Sequence, residues 1–506
     1  MKKFFLALLF IPVLAGAQKI PSPLKFAKTI TAEDLKTQLY IVAGEDMQGR
    51  ETATEGQRKA AAYIESQFKS LGLLPGNNGS YQQHYPVFQD SLINAAITVN
   101  GQNFEPEKDF VVNISSNYTA TLMGGEVVFA GYGLMDSARN DYKNIDANGK
   151  IVLILAGTPP SAKAPTRRSR FNNAVQEAAM QNGAAAVLIV QEGFPRRATS
   201  SRGSMTMNGY KKTIYPNTFY ISEHVAEKIM GADFASAKEA MKNGNPVAKT
   251  YNADVKLAFE KFTKELQSSN VIGYVEGTDL KDEYVFMTAH YDHLGMRGDS
   301  IIYYGADDDG SGTVSVLEFA EAFTKAKVAG KGPRRSVVFM TVSGEEKGLW
   351  GSAYYSEHPI FPLEKTTVDL NIDMIGRSDS SRKQGDSTNY IYVVGDDKLS
   401  SELKPISEAV NKKYTKLELD YKFNDPKDPN RIYFRSDHYN FARKGVPIIF
   451  YYDGMLGADY HKPTDTPDKI NYKLMEKRAR LIFNTAWEMA NRNEMLKRDI
   501  PLEKAF

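Results

Sequence analysis

From about residue 268 onward, short apolar runs alternate with longer amphipathic stretches, and this alternation constrains the fold more than any other feature of the chain. Residues 284–289, 336–342, 368–372, 390–394 and 446–451 have the length expected of buried strands. Residues 311–326, 400–413 and 473–491 carry helical spacing. Such alternation predicts an α/β fold, a mixed and mostly parallel sheet flanked by helices. Upstream, residues 31–74 read as two helices. Leu35, Leu39 and Ile41 are apolar in the first, and Ala60, Ala61, Ile64, Phe68 and Leu71 recur every three or four residues in the second.

Between these parts, from about 85 to 255, the texture changes to short β-branched runs split by glycine. Residues 126–130, 151–155 and 186–190 are strand candidates, and 171–181 a helix ahead of Gly183. No ionisable groups gather there for chemistry, so the stretch is expected to be a small β-rich insert. The predicted division is a signal segment at 1–17, the N-terminal part of a catalytic domain at 18–110, the insert at 111–260, and the rest of the catalytic domain at 261–506. The signal reading rests on Lys2 and Lys3, the apolar stretch from Phe4, and Ala15-Gly16-Ala17 before Gln18. That stretch is shorter than the about 20 residues a bilayer span needs, and no later segment approaches one. The expectation is export to a bacterial periplasm or exterior, with no stable membrane span after cleavage.

Charge and cysteine content narrow the chemistry. Without Lys2 and Lys3, the 63 basic residues fall level with the 61 acidic ones, which gives no electrostatic case for nucleic acid. The absence of cysteine removes thiol nucleophiles, disulfides and thiolate zinc sites. A metal must therefore be held by carboxylates and some of the seven histidines.

Those residues sit where the strands end. Residues 284–289 run into His290-Tyr291-Asp292-His293, and 336–342 into Gly344-Glu345-Glu346. Residues 368–372 lead to Asp373, and 446–451 to a loop bearing Tyr460-His461. In open α/β sheets, sites form at the carboxyl ends of strands. Asp307-Asp308-Asp309, just before a helix, brings together charges that repel unless something compensates them. A helix-capping turn is one account. An EF-hand calcium loop fails, because Gly305 and Val316 fall where Asp and Glu are required. A cation shared with the neighbouring strand ends is the better one. Imidazole and carboxylate suit zinc, and two zinc ions need a bridging carboxylate, a few terminal ligands and room for a water. Glu345 and Glu346 suit one ligand and one general base, in an order that spacing alone leaves open.

Taken together, His290-Tyr291-Asp292-His293, Gly305-Ala306-Asp307-Asp308, Gly344-Glu345-Glu346-Lys347-Gly348-Leu349, Asn371-Ile372-Asp373-Met374-Ile375-Gly376, Ser436-Asp437-His438 and Tyr460-His461-Lys462-Pro463 resemble the M28 family of zinc aminopeptidases. Gly49-Arg50 looks like that family's larger secreted members. Gly124-Gly125-Glu126, Gly131-Tyr132-Gly133, Asn148-Gly149-Lys150 and Gly183-Ala184-Ala185 resemble the protease-associated (PA) domain common in exopeptidases. The resemblance implies a zinc exopeptidase fold with two Zn²⁺ per chain. It makes His290, Asp308, Glu346, Asp373 and His461 the metal ligands, with Asp308 bridging. It also implies Glu345 as general base, Asp292 orienting His290, Tyr460 donating to the oxyanion, and Arg435 on the substrate side. The substrates would be peptides with a free N-terminus. Two kinds of alternative stand beside this: a carboxypeptidase or dipeptidase of related architecture, using Arg377, Arg431, Arg435 or Arg443 for a substrate carboxylate, or a metal-free peptidase-like binding protein. His293 and His438 stay open between ligand and structural hydrogen bond, and His84, His224 and His358 are expected to be structural. The oligomeric state is not assigned.

Overall fold

The computed structural model describes residues 20–135, 139–157, 159, 168–197 and 200–502, so the predicted signal segment lies outside the described residues. The chain forms two compact units, one of Met1–Tyr85 with Gln267–Phe506 and one of Pro86–Leu266.

In the first unit the strands are β1 (Ala248–Val275, its last part), β2 (Leu280–His290), β3 (Arg335–Val342), β4 (Thr366–Ile372), β5 (Tyr390–Val394), β6 (Glu418–Asp420) and β7 (Ile448–Tyr452). They lie in the order β6-β5-β7-β4-β2-β3-β1. The neighbours β7, β4, β2 and β3 are parallel, whereas β5 against β7 and β1 against β3 are antiparallel. The register aligns the carboxyl ends of the parallel strands: His290 lies opposite Val342, and Ile372 opposite Tyr451.

The helices are α1 (Ala32–Val42), α2 (Glu55–Ser70), α3 (Gly312–Val328), α4 (Trp350–Glu357), α5 (Leu403–Tyr414), α6 (His438–Ala442) and α7 (Tyr472–Asn491). Alternate residues of each strand point to opposite faces, and both faces are covered. Val285, Met287, Val337 and Phe339 join Leu35, Phe323 and Trp487 in one core. Phe286, Val338, Met340 and Phe450 join Tyr355 and Phe441 in another. This two-sided burial is why the strands read as continuous apolar runs. Spacing did not mark α4 and α6, which are short and follow loops dominated by polar residues.

The second unit has strands Ala120–Ala130, Ile151–Leu155, Ala186–Val190 and Asn217–Ile221 in parallel, with Phe110–Val112 antiparallel at the edge. Helices Arg168–Gln181, Glu223–Met230 and Asp233–Lys242 accompany them. The chain enters this unit at Pro86, not at 111 as the sequence suggested, and leaves at Leu266, not 260. The reason is pairing: Gln89 with Met205 and Phe110 with Ile221 tie residues before 111 into this unit.

Candidate metal centre

The aligned strand ends of the first unit deliver the ionisable residues. His290, the last residue of β2, is buried, and its Nδ1 lies 3.1 Å from the main-chain oxygen of Asp292. With Nδ1–H donating there, Nε2 is left as a lone pair. That Nε2 has no hydrogen-bond partner, and lies 3.3 Å from Asp308 Oδ1 and 3.6 Å from Asp373 Oδ1. The other oxygen of Asp308 lies 3.1 Å from His461 Nε2, which is also 3.1 Å from Glu346 Oε2. Two donor sets therefore share one carboxylate: His290, Asp373 and Asp308, and His461, Glu346 and Asp308. His290 Nε2, Asp308 Oδ2 and Glu346 Oε1 are all buried without hydrogen-bond partners. Such groups are costly unless a ligand satisfies them, so the donor set fits zinc.

Without an ion, the charges lean on one another. Burial opposes protonation of His461, but Asp308 and Glu346 push it up to about 10. Burial would raise Asp308, but His290, His461 and His293 hold it well below the carboxylate range. Burial raises the Glu345 carboxyl well above its usual range, with His290 opposing and Glu346 and Asp373 adding.

The three aspartates before α3 divide their labour. Only Asp308 faces both histidines. Asp309 lies within ligand reach of His290 and Asp373, yet its oxygens accept main-chain hydrogen bonds from Gly312 (2.8 Å), Met374 (3.1 Å) and His290 (3.2 Å). Asp307 accepts from Gly376 N at 2.8 Å. The flanking pair thus pins the loop to strand ends while the middle one projects.

Asp292 holds His290 through its main-chain carbonyl, its carboxylate being farther away at 3.7 Å. That carboxylate instead accepts from Glu345 N (3.2 Å) and Thr52 Oγ1 (2.7 Å), fixing the loop that carries both glutamates. Glu345 lines a cleft beside Asp308 and Asp373, with Met374, Ile432, Phe450, Tyr452 and Leu456 as apolar walls. Tyr460 stacks on His461 at 3.9 Å, and its hydroxyl accepts from Arg435 Nη2 at 3.1 Å, leaving its own proton free to donate into the cleft.

Of the remaining histidines, His438 has its Nε2 2.7 Å from Tyr433 O and stacks on Phe450, and burial pushes it down to about 3, so it is neutral and serves a structural hydrogen bond. His358 Nδ1 lies 3.1 Å from Tyr354 O, and His224 Nδ1 3.4 Å from Asp109. His293 is brought into the centre, with Nδ1 2.9 Å from Glu346 Oε1. Among the arginines considered for a substrate carboxylate, Arg377 pairs with Asp459 at 3.0 Å.

Two anchoring residues escaped the sequence reading. Buried Arg50 donates to the main-chain oxygens of Tyr291 (2.7 Å), Tyr304 (2.6 Å), Gly305 (2.9 Å) and Val42 (3.0 Å). Asp465 accepts from Asp307 N (3.0 Å) and Asp308 N (3.2 Å). Gly49-Arg50 was visible as a motif without a role, and Asp465, four residues after His461, carried no separate signal.

Residues 270–486 match the model of peptidase family M28. Proteins named "Probable leucine aminopeptidase" from Arthroderma otae and Trichophyton verrucosum are 28% identical over 239 residues and 29% over 214 residues, covering 46% and 41% of this chain. The matched segments span 61% and 55% of those relatives. An aminopeptidase from Aneurinibacillus sp. strain AM-1 superposes with a TM-score of 0.55 at 21% identity, covering 96% of this chain and all of that one. A zinc aminopeptidase from Bacillus subtilis gives 0.52 at 20%, with the same coverage. At these identities the structural likeness speaks for the fold alone.

Proposed function

We infer, from the match of residues 270–486 to peptidase family M28 and the arrangement around Asp308, that the chain is an exported dinuclear zinc aminopeptidase. The observation that carries this reading is Asp308, whose two carboxylate oxygens each face a different imidazole, Oδ1 the unpartnered Nε2 of His290 and Oδ2 the Nε2 of His461. When bound, two zinc ions supply Lewis-acid polarisation of the scissile carbonyl and acidify a water. His290 and Asp373 would hold one, His461 and Glu346 the other, and Asp308 both.

The remaining residues serve the peptide. Glu345 takes the proton of the attacking water and returns it to the leaving amine. The Asp292 carboxylate fixes its main chain beside Asp308 and Asp373 in the cleft. Tyr460 donates to the developing oxyanion, with Arg435 holding its hydroxyl. The free α-amine sits beside the carboxylates of the centre. The apolar walls of the cleft favour a peptide whose N-terminal side chain is apolar, in line with the relatives named as leucine aminopeptidases. Export rests on residues 1–17, and the reading of the second unit as a PA-like module rests on its glycine-bearing motifs.

Glu345→Gln is expected to keep its metal yet lose about 10²-fold or more in turnover, the usual contribution of a positioned general base. Metal analysis and steady-state kinetics on the same preparation check this. Turnover at the wild-type rate would overturn the assignment.

A further inference from the structure

We propose that His293 is itself a ligand of the ion held by Asp308, Glu346 and His461, which makes that half of the centre the richer in nitrogen. The inference rests on the metallopeptidase reading and adds a donor to it. His293 is fully buried, and neither of its ring nitrogens has a hydrogen-bond partner. A buried imidazole with both nitrogens unpaired is an unusual expense for a fold to carry without a ligand.

The geometry supplies the ligand's place. His293 Nδ1 lies 2.9 Å from Glu346 Oε1 and 4.0 Å from Asp308 Oδ2. Glu346 Oε1 is likewise buried without a partner, so the short approach lacks hydrogen-bond geometry and both atoms face a shared space. Donors about 2.0–2.1 Å from one zinc stand roughly 3.3 Å apart in a tetrahedron, and the separations within this group, 2.9 to 4.0 Å, bracket that value.

The ring is also built into position by main chain that owes nothing to a metal. Gly305, in the left-handed region at φ 58°, lets the ring lie against its Cα, where a Cβ would come within 2.5 Å of His293 Cγ. The main chain of His293 donates to Arg50 O at 3.3 Å. Two imidazoles on one ion, against one on the other, should make the His461 half the tighter, since imidazole is a better zinc donor than a further carboxylate.

The test is stepwise titration of the metal-free full-length protein with Zn²⁺ by calorimetry, with zinc-edge X-ray absorption at one equivalent to count imidazoles. Wild type is expected to bind two ions, the first with two imidazoles. His293→Ala and His293→Asn should each weaken the first step beyond the about 10–100-fold typical of losing a residue that merely orients a ligand, and leave one imidazole on that ion. Asparagine retains an N–H that can reach Glu346, and circular dichroism confirms that either variant is folded. A His293→Asn protein that binds both ions with wild-type constants would overturn the inference and leave the peptidase reading standing. A wild-type protein that binds no zinc would overturn both.

Discussion

Glu318 lies buried in α3, with one carboxylate oxygen lacking a hydrogen-bond partner and Glu321 and Asp34 near it. Burial pushes its carboxyl up to about 8, against about 4.3 in an unfolded chain. Because the folded pKa is raised, the folded state binds the extra proton between those values, and stability falls as pH rises through that window. Glu318→Gln removes the titration. Its unfolding temperature relative to wild type should rise between about pH 4 and 8 and level off above, a gain on the order of 1–3 kcal/mol after the buried amide's own cost. Parallel pH profiles of thermal unfolding would contradict this. Nothing in the sequence marked Glu318, since a glutamate at helical spacing ordinarily faces water. Of the residues proposed as ligands, His290, Glu346 and Asp373 were legible because they follow closely on apolar runs, where strand geometry limits where a side chain can point. The partition among Asp307, Asp308 and Asp309 was not, because it depends on which main-chain N–H groups of distant strand ends come within reach.

The centre depends on two connections between elements. Arg50, before α2, ties the end of β2 to the start of the loop bearing Asp308. Asp465, after β7, ties that loop to the one bearing His461. Asp465→Ala strands buried main-chain N–H groups, each worth about 1–3 kcal/mol, and frees the Asp308 carboxylate from its register with His461. Zinc affinity should fall about 10–100-fold, with stability lower by at least about 2 kcal/mol. Denaturant unfolding and zinc titration check both, and a variant matching wild type in each would show that the loop is held by other means. Helices and strands with two-sided burial were read correctly from periodicity. The boundary expected at 111 falls late because Gln82–Val99 is one long strand that runs through Pro86 into the second unit.

At the scale of the molecule, the segment matching the peptidase family begins at residue 270, but the first unit begins far upstream. Trp487 Nε1 donates to Pro21 O (2.8 Å), Ala32 N donates to Glu476 Oε2 (2.7 Å), and Thr52 reaches Asp292. A fragment starting at residue 267 should therefore fail to unfold cooperatively and be degraded rapidly by protease. A fragment as resistant as the full chain would contradict that dependence. Hydrolysis of a leucyl anilide and its N-acetylated counterpart, before and after chelation and with zinc restored, tests the proposed two-zinc centre and its demand for a free N-terminus. Only the free leucyl substrate is expected to be cleaved, chelation to abolish the activity, and two zinc ions per chain to restore it. Equal cleavage of the acetylated substrate, or activity indifferent to chelation, would contradict that proposal.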